Sequence, residues 1–375
     1  MIKKNRLIKL TQDLIRIDSQ NPPGDESRIA AFVRDYFHSL KLKARVIEFK
    51  KNRSNVIAFL KGRDASRTLL LTPHLDTVCA GSKWSINPFS GQIRQGKIYG
   101  LGATDCKCNL AVSLETIKSI VEEKTILGYN LCFAATADEE SGSTWGLVPL
   151  LNKKVLKPDA AIVLDADEFE IIVAQKGLLH FKIVLMGKRA HGAYPWQGVN
   201  AIGIALSVLK DLQSLKFKYP KNKYLHPPTL NIGTIRGGDK VNIVADWAEV
   251  ELDFRYLPGM SARDFIAQAR KIIQRHTKKF RIEIDGLQYP YRIEQSHPLI
   301  KGLKSAAARF KIIPKISGSE GATTISFFQE KNIPAVATGF GCSGCAHSVD
   351  EYVRINNLYK GAKFLEEFLK IYKFN

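Results

Sequence analysis

RTLLLTPHLD, residues 67–76, joins an unbroken apolar run to a histidine and an aspartate two positions apart. Leu69, Leu70 and Leu71 follow one another without polar alternation. A strand of that kind is buried on both faces, as in the centre of a parallel sheet covered by helices. The flanking chain agrees. Upstream, apolar residues recur at helical spacing over 3–17 and 26–40, and short strands are predicted at 44–49 and 55–60. Downstream, residues 110, 111, 114, 117, 120 and 121 form one apolar face of a helix over 109–123. Two further buried strands are predicted at 130–137 and 159–164. Strands alternating with helices predict an α/β fold with a doubly wound sheet.

The pattern changes after about residue 174. A strand (177–187), a helix (200–215), two strands (229–235 and 246–256), a helix (261–276) and a strand (280–285) follow in turn. The order β-α-β-β-α-β is ferredoxin-like, an α+β arrangement. Helix and strand signals of the first kind then resume at 298–310, 322–330, 333–338 and 355–372. The sequence therefore predicts one domain from 1–175 and 289–375, with 176–288 inserted into it.

Composition narrows the function classes. A chain of 375 residues is long for a single core and suits two domains. With 45% hydrophobic and 25% charged residues it reads as an ordinary globular protein. No apolar run approaches the ~18 residues of a membrane span, so no membrane partner is expected. The N-terminal segment alternates charged and apolar residues and lacks a signal-peptide core, which predicts a cytoplasmic protein. Six cysteines without an export signal do not suggest a disulfide scaffold. The net charge of +20 is spread along the whole chain and falls in no nucleic-acid motif. It suits attraction of anionic small substrates better than nucleic acid.

Candidate chemistry collects where the strands end. His74 and Asp76 point the same way on an extended chain, and a metal-bound histidine commonly donates its second N–H to a carboxylate. The strand at 130–137 runs into Asp138-Glu139-Glu140, three acids that repel one another unless a cation is present. The strand at 159–164 runs into Asp165, and Asp105 and His347 lie in loops. Taken singly, each has a bland reading: a chance His-x-Asp, a solvated acidic turn. Together they sit at the carboxyl ends of strands, where open α/β sheets build their sites. Two histidines and several carboxylates suit two Zn²⁺ sharing a bridging carboxylate, and Co²⁺ or Mn²⁺ fit the same donors.

A wider set of motifs carries a specific resemblance. HLDTV (74–78), WSINPF (84–89), GKIYGLGATDCK (96–107), DEESG (138–142), RAHGAYPWQGVNAI (189–202), GTIRGGDKVNIVADWAEVELDFRYLPG (233–259), GSEGA (318–322) and AHSVDEYV (346–353) span nearly the whole chain. In that order and spacing the sequence resembles the M20 metallopeptidase family. That family includes acetylornithine deacetylase, succinyl-diaminopimelate desuccinylase, aminoacylase and glutamate carboxypeptidase. The resemblance implies a zinc-exopeptidase-like catalytic domain and an inserted dimerisation domain. By its motifs, His74 and Asp165 would bind one zinc, Glu140 and His347 the other, and Asp105 would bridge them. Glu139 would be the general base and Asp76 would orient His74. His191 would reach the active site of a partner subunit in a homodimer joined through 176–288. Asn242, Arg255, Gly318 and Ser319 would form the pocket for a substrate carboxylate. For Arg255 the competing reading is a sheet-surface ion pair with Glu251 or Asp253.

The sequence departs from the family after Asp105. Met-Lys-Gly-Gly is usual there, and this chain has Cys106-Lys107-Cys108-Asn109. Cys342 and Cys345 precede His347, so the fold decides whether these thiols meet. The expected activity is hydrolysis of the amide bond of an N-acyl amino acid, of the acetylornithine or succinyl-diaminopimelate type. A dipeptidase or carboxypeptidase is the alternative, and a non-catalytic binding protein on the same fold a more distant one.

Overall fold

The computed structural model describes residues 1–374, which form two compact units. Among the described residues the first comprises 1–173, 293–317 and 323–374, and the second 174–292 and 318–322. The second unit thus interrupts the first in sequence, and the short segment 318–322 packs with it.

In the first unit the strands run in the order Ala44–Glu48, Ser54–Leu60, Tyr129–Ala135, Asp64–Thr72, Ala160–Leu164, Ala335–Thr338 and Ile171–Gln175. The sheet is mixed. Its middle four strands are parallel, with Leu70 opposite both Cys132 and Ala161, and Ile162 opposite Val336. The pairs flanking them are antiparallel. The triple-leucine run lies in this parallel centre, where Leu69, Leu70 and Leu71 are fully buried. Every residue of Tyr129–Ala135 and Ala160–Leu164 is buried too. Continuous apolar runs are what strands need when helices cover both faces.

The helix Lys107–Glu122 departs from its one-sided sequence pattern. Ser113, Thr116 and Ser119 on its polar side are as buried as Leu110 and Leu114. Lys4–Ile15 and Ile355–Ile371 pack against it. Arg6 reaches in from the first of these to Glu115 (2.6 Å) and Glu122 (2.6 Å). Several short elements gave no sequence signal. Ile171–Gln175 is a strand, Leu147–Asn152 a short helix, and Gln92–Arg94, Lys97–Tyr99 and Tyr352–Arg354 make a small separate sheet. Segments of three to six residues are too short for a period to show. Among the described residues, no helix is long and apolar enough to cross a membrane.

In the second unit the strands run in the order Thr229–Gly237, Trp247–Tyr256, Gly177–Met186 and Phe280–Gln288, antiparallel throughout. With helices Ala201–Gln213 and Ala262–His276 the chain order is β-α-β-β-α-β. Along Trp247–Tyr256 burial alternates strictly. Val250, Leu252 and Phe254 pack with Phe181, Val208 and Phe265 in the core, so Glu251, Asp253 and Arg255 stand on the opposite face.

Candidate metal centre

Four parallel strands deliver the centre. His74 follows Asp64–Thr72, Glu139 and Glu140 follow Tyr129–Ala135, Asp165 follows Ala160–Leu164, and His347 lies in the loop after Ala335–Thr338. Asp105 arrives from the loop before helix Lys107–Glu122. Its carboxylate lies between the two histidines. Oδ1 is 2.9 Å from His74 Nε2, and Oδ2 is 3.2 Å from His347 Nε2. Asp165 Oδ1 stands 4.0 Å from His74 Nε2, and Glu140 stands 3.2 Å from His347 Nε2. Three overlapping donor groups result, His74 with Glu139 and Asp165, Asp105 with Glu140 and His347, and His74 with Asp105 and Cys106. In each the donor atoms lie within 4.8 Å of one another.

The electrostatics favour cations there. Burial and the Asp105 charge push the Asp165 carboxyl up to about 7, and burial with Asp165 nearby lifts Glu139 well above the usual carboxylate range. Hydrogen bonds to Asp105 and Glu140 push His347 up to about 10. Burial opposes charging His74, yet Cys106, Asp105 and Asp76 together hold it well above the ordinary histidine range. Protons are thus favoured on Asp165, Glu139 and the two histidines, while hydrogen bonds from the histidines hold Asp105 below the usual carboxylate range, and a divalent cation between the same donors takes the place of those protons. Two histidines, several carboxylates and one carboxylate facing both histidines form a donor set that fits two metal ions.

Asp76 does more than face His74. The ring Nδ1 lies 3.0 Å from its main-chain oxygen and 3.4 Å from its carboxylate. The carboxylate itself accepts the N–H groups of Glu139 and Glu140, each at 3.1 Å, and the Asn21 amide at 2.9 Å. It therefore holds the acidic turn. Glu351, which the sequence reading did not single out, accepts the N–H groups of Gly102 (3.0 Å), Thr104 (2.7 Å) and Asp105 (2.9 Å). It fixes the loop carrying Asp105, and its place inside AHSVDEYV was the one available signal. Cys106 also lies at the centre, its sulfur 3.2 Å from the His74 main-chain nitrogen. All six cysteines are free thiols, and Cys108 donates to the Thr104 carbonyl rather than joining another sulfur.

The remaining candidates belong to the second unit. His191 is exposed, its main chain bridges to Ile243, and its Nδ1 accepts the Ala193 N–H at 3.0 Å. Asn242 is exposed, and its carbonyl accepts the Gly192 N–H at 2.7 Å. Arg255 donates from Nε to both oxygens of Asp253, at 2.8 and 3.1 Å, so a sheet-surface pair is present. Ser319 accepts the Lys176 N–H at 3.1 Å. Gly318 passes so close to Tyr224 that an added Cβ would meet its carbonyl oxygen at 2.6 Å. Lys176 Nζ pairs with Glu320 at 2.6 Å and pins this loop.

Comparison with known proteins bears on this centre. Residues 70–371 match the family described as Peptidase family M20/M25/M40. The chain is 30% identical over 351 residues to acetylornithine deacetylase of Vibrio parahaemolyticus, covering 90% of each. Among solved structures it resembles a tripeptidase of Staphylococcus aureus (TM-score 0.82, 25% identity, 99% of each chain). It also shares the fold of a Bacillus subtilis protein described as a dinuclear metal binding peptidase from the M20 family (TM-score 0.75, 18% identity, 98% of each chain). The family match covers most of the sequence and takes in His74, Asp105, Glu139, Glu140, Asp165 and His347. The chain belongs to the M20 family of metallopeptidases and deacylases and is a hydrolytic enzyme.

Proposed function

We propose that the enzyme hydrolyses the amide bond of an N-acyl amino acid, in the manner of an acetylornithine or succinyl-diaminopimelate deacylase. The observation that carries the reading is Asp105 spanning His74 and His347 while Glu139 stands in the adjoining donor group. The 30% identity to a deacylase over most of the chain supports the substrate class.

Two divalent cations, Zn²⁺ or alternatively Co²⁺ or Mn²⁺, would polarise the scissile carbonyl and acidify the attacking water. His74 and Asp165 would hold one, Glu140 and His347 the other, and Asp105 both. Glu139 takes a proton from the water as it attacks the carbonyl carbon. It returns that proton to the amide nitrogen as the C–N bond breaks, leaving a carboxylic acid and an amine, and the acid's proton then passes to the amine to give carboxylate and ammonium. Asn242, Arg255, Gly318 and Ser319 are assigned to the substrate carboxylate, and Arg255 would exchange Asp253 for it in a two-pronged pair. His191 is assigned to the developing oxyanion, supplied by a second copy of the chain in a dimer formed through the second unit. A peptidase acting on short peptides is the second reading, favoured by the likeness to the tripeptidase.

The test is turnover of a panel of N-acetyl and N-succinyl amino acids and short peptides, with and without added Zn²⁺, beside Glu139→Gln. Metal-dependent hydrolysis of an acyl amino acid that this variant abolishes supports the proposal. Cleavage of peptides alone selects the second reading. Absence of both turnover and bound metal overturns both.

A further inference from the structure

Behind the acidic turn lies a buried polar chain that the mechanism does not use. Arg53 is only 6% exposed. Its guanidinium forks Glu26 through Nε (2.9 Å) and Nη2 (2.7 Å), and Nη2 also reaches Asp138 Oδ1 at 2.8 Å. Asp138 Oδ2 accepts the Trp145 N–H at 3.0 Å, and the Asp138 N–H donates to Glu26 at 3.3 Å. The Asn21 amide donates to Asp138 at 3.3 Å and to Asp76 at 2.9 Å. Asp76 in turn accepts the N–H groups of Glu139 and Glu140. Bonds thus run without a break from Arg53 to the backbone of both glutamates.

We propose that Arg53 is a positioning residue, which aims Glu139 and Glu140 at their separate donor groups by holding Asp138 and, through Asn21, Asp76. The proposal rests on the metallohydrolase reading above. Two features carry it. Asp138 has a left-handed backbone (φ 64°), uncommon for a residue with a side chain, and it sets the direction in which the next two residues leave the strand. Glu26, Asp76 and Asp138 are each at most 2% exposed, and Arg53 is the cation that bonds two of them. Without it, Glu26 and Asp138 lose the cation they share, and Asp138 has to move. A lysine ammonium keeps the charge but cannot reproduce the planar fork that serves both carboxylates.

The experiment uses the full-length chain with Arg53→Lys, and with the double variant Glu26→Gln/Arg53→Met. Co²⁺ alone is titrated into chelator-treated protein and followed by visible absorption. Melting temperature is recorded, and kcat and KM are measured on the best substrate of the panel. For Arg53→Lys we expect Co²⁺ affinity and kcat each about 10–100-fold lower, with an altered Co²⁺ spectrum and little change in KM. The double variant removes the Arg53–Glu26 charge pair but leaves Asp138 buried without its cation, so it should melt no higher than Arg53→Lys. It should recover neither the Co²⁺ affinity nor kcat. Wild-type Co²⁺ binding and spectrum in folded Arg53→Lys would overturn the proposal, as would full recovery in the double variant. Failure of both variants to fold would assign Arg53 to the fold alone. If the wild type binds Co²⁺ but turns over no substrate, the titration still decides the role of Arg53. If the wild type binds no Co²⁺, the metallohydrolase reading and this proposal fall together.

Discussion

Glu139 and Glu140 are chain neighbours, yet one joins His74 and Asp165 and the other joins Asp105 and His347. The short helical turn after Asp138 sends their side chains in different directions. Different variants should therefore fail differently. Glu139→Gln is expected to lower kcat about 10²–10⁴-fold, the usual span for a lost general base, with metal content unchanged. Glu140→Gln is expected to lose metal first. Turnover beside elemental analysis of the two variants separates these outcomes, and metal loss in Glu139→Gln would reverse the assignment. The histidines give a second prediction. Hydrogen bonds to Asp105 and Glu140 push His347 up to about 10, and His74 is held well above its ordinary range, so without metal the protonated rings are favoured at neutral pH. Metal binding must expel those protons, and affinity should fall as pH falls through neutrality. Zn²⁺ added to weakly buffered metal-free protein should acidify an indicator dye, and no acidification would show that the histidines do not bind it. The sequence located His74, Glu139 and Asp165 at strand ends because an apolar run followed by a polar residue is a local signal. Arg53 and Asp138, and likewise Asp105 and Glu351, are partners across tens or hundreds of positions. No local spacing announces such pairs.

At the scale of elements, the loop that carries Asp105 depends on Glu351 from the far end of the chain. Its three N–H bonds replace the regular pairing that a strand or helix would give that loop. In Glu351→Gln the amide oxygen can keep some of these bonds, but the amide NH₂ group faces a backbone donor. One buried N–H is then left without an acceptor, a loss of about 1–3 kcal/mol. A lowered urea midpoint, corresponding to an unfolding free energy reduced by that amount, together with weaker metal binding, is expected. An unchanged midpoint would show that the loop stands without Glu351. Element type was legible wherever a period ran long enough. The strict alternation of Trp247–Tyr256 and the leucine run of Asp64–Thr72 both announce their burial. The burial of Lys107–Glu122 on its polar side was not legible, because serine and threonine read as solvent-facing until Lys4–Ile15 and Ile355–Ile371 close over them. Small hydroxyl side chains permit that approach, and two of them bond main-chain carbonyls, Ser113 that of Asn109 and Thr116 that of Ala362.

For the whole molecule, charge is distributed unevenly. The chain carries a net +20, yet Asp76, Asp105, Glu139, Glu140 and Asp165 converge at the strand ends of the first unit. Such a concentration of carboxylates destabilises the folded state unless protons or cations neutralise it. Folding and metal binding should therefore be linked. A ligand that binds only the folded chain stabilises it by about 2.7 kcal/mol per site when its free concentration is 100-fold above Kd. Chelation should lower the melting temperature, and added Zn²⁺ should restore it. The direction of the pH effect follows from the same donors. At lower pH protons already occupy the histidines and the raised carboxyls, so there is less for a cation to relieve. The drop on chelation should be larger at pH 8 than at pH 6. Calorimetry of the metal-loaded and chelated protein at both values checks this. Equal drops would mean that metal binding displaces no protons between those pH values, and the indicator experiment should then also be silent. A drop that grows with pH would tie the metals to the same histidines and carboxylates on which the proposed hydrolysis depends.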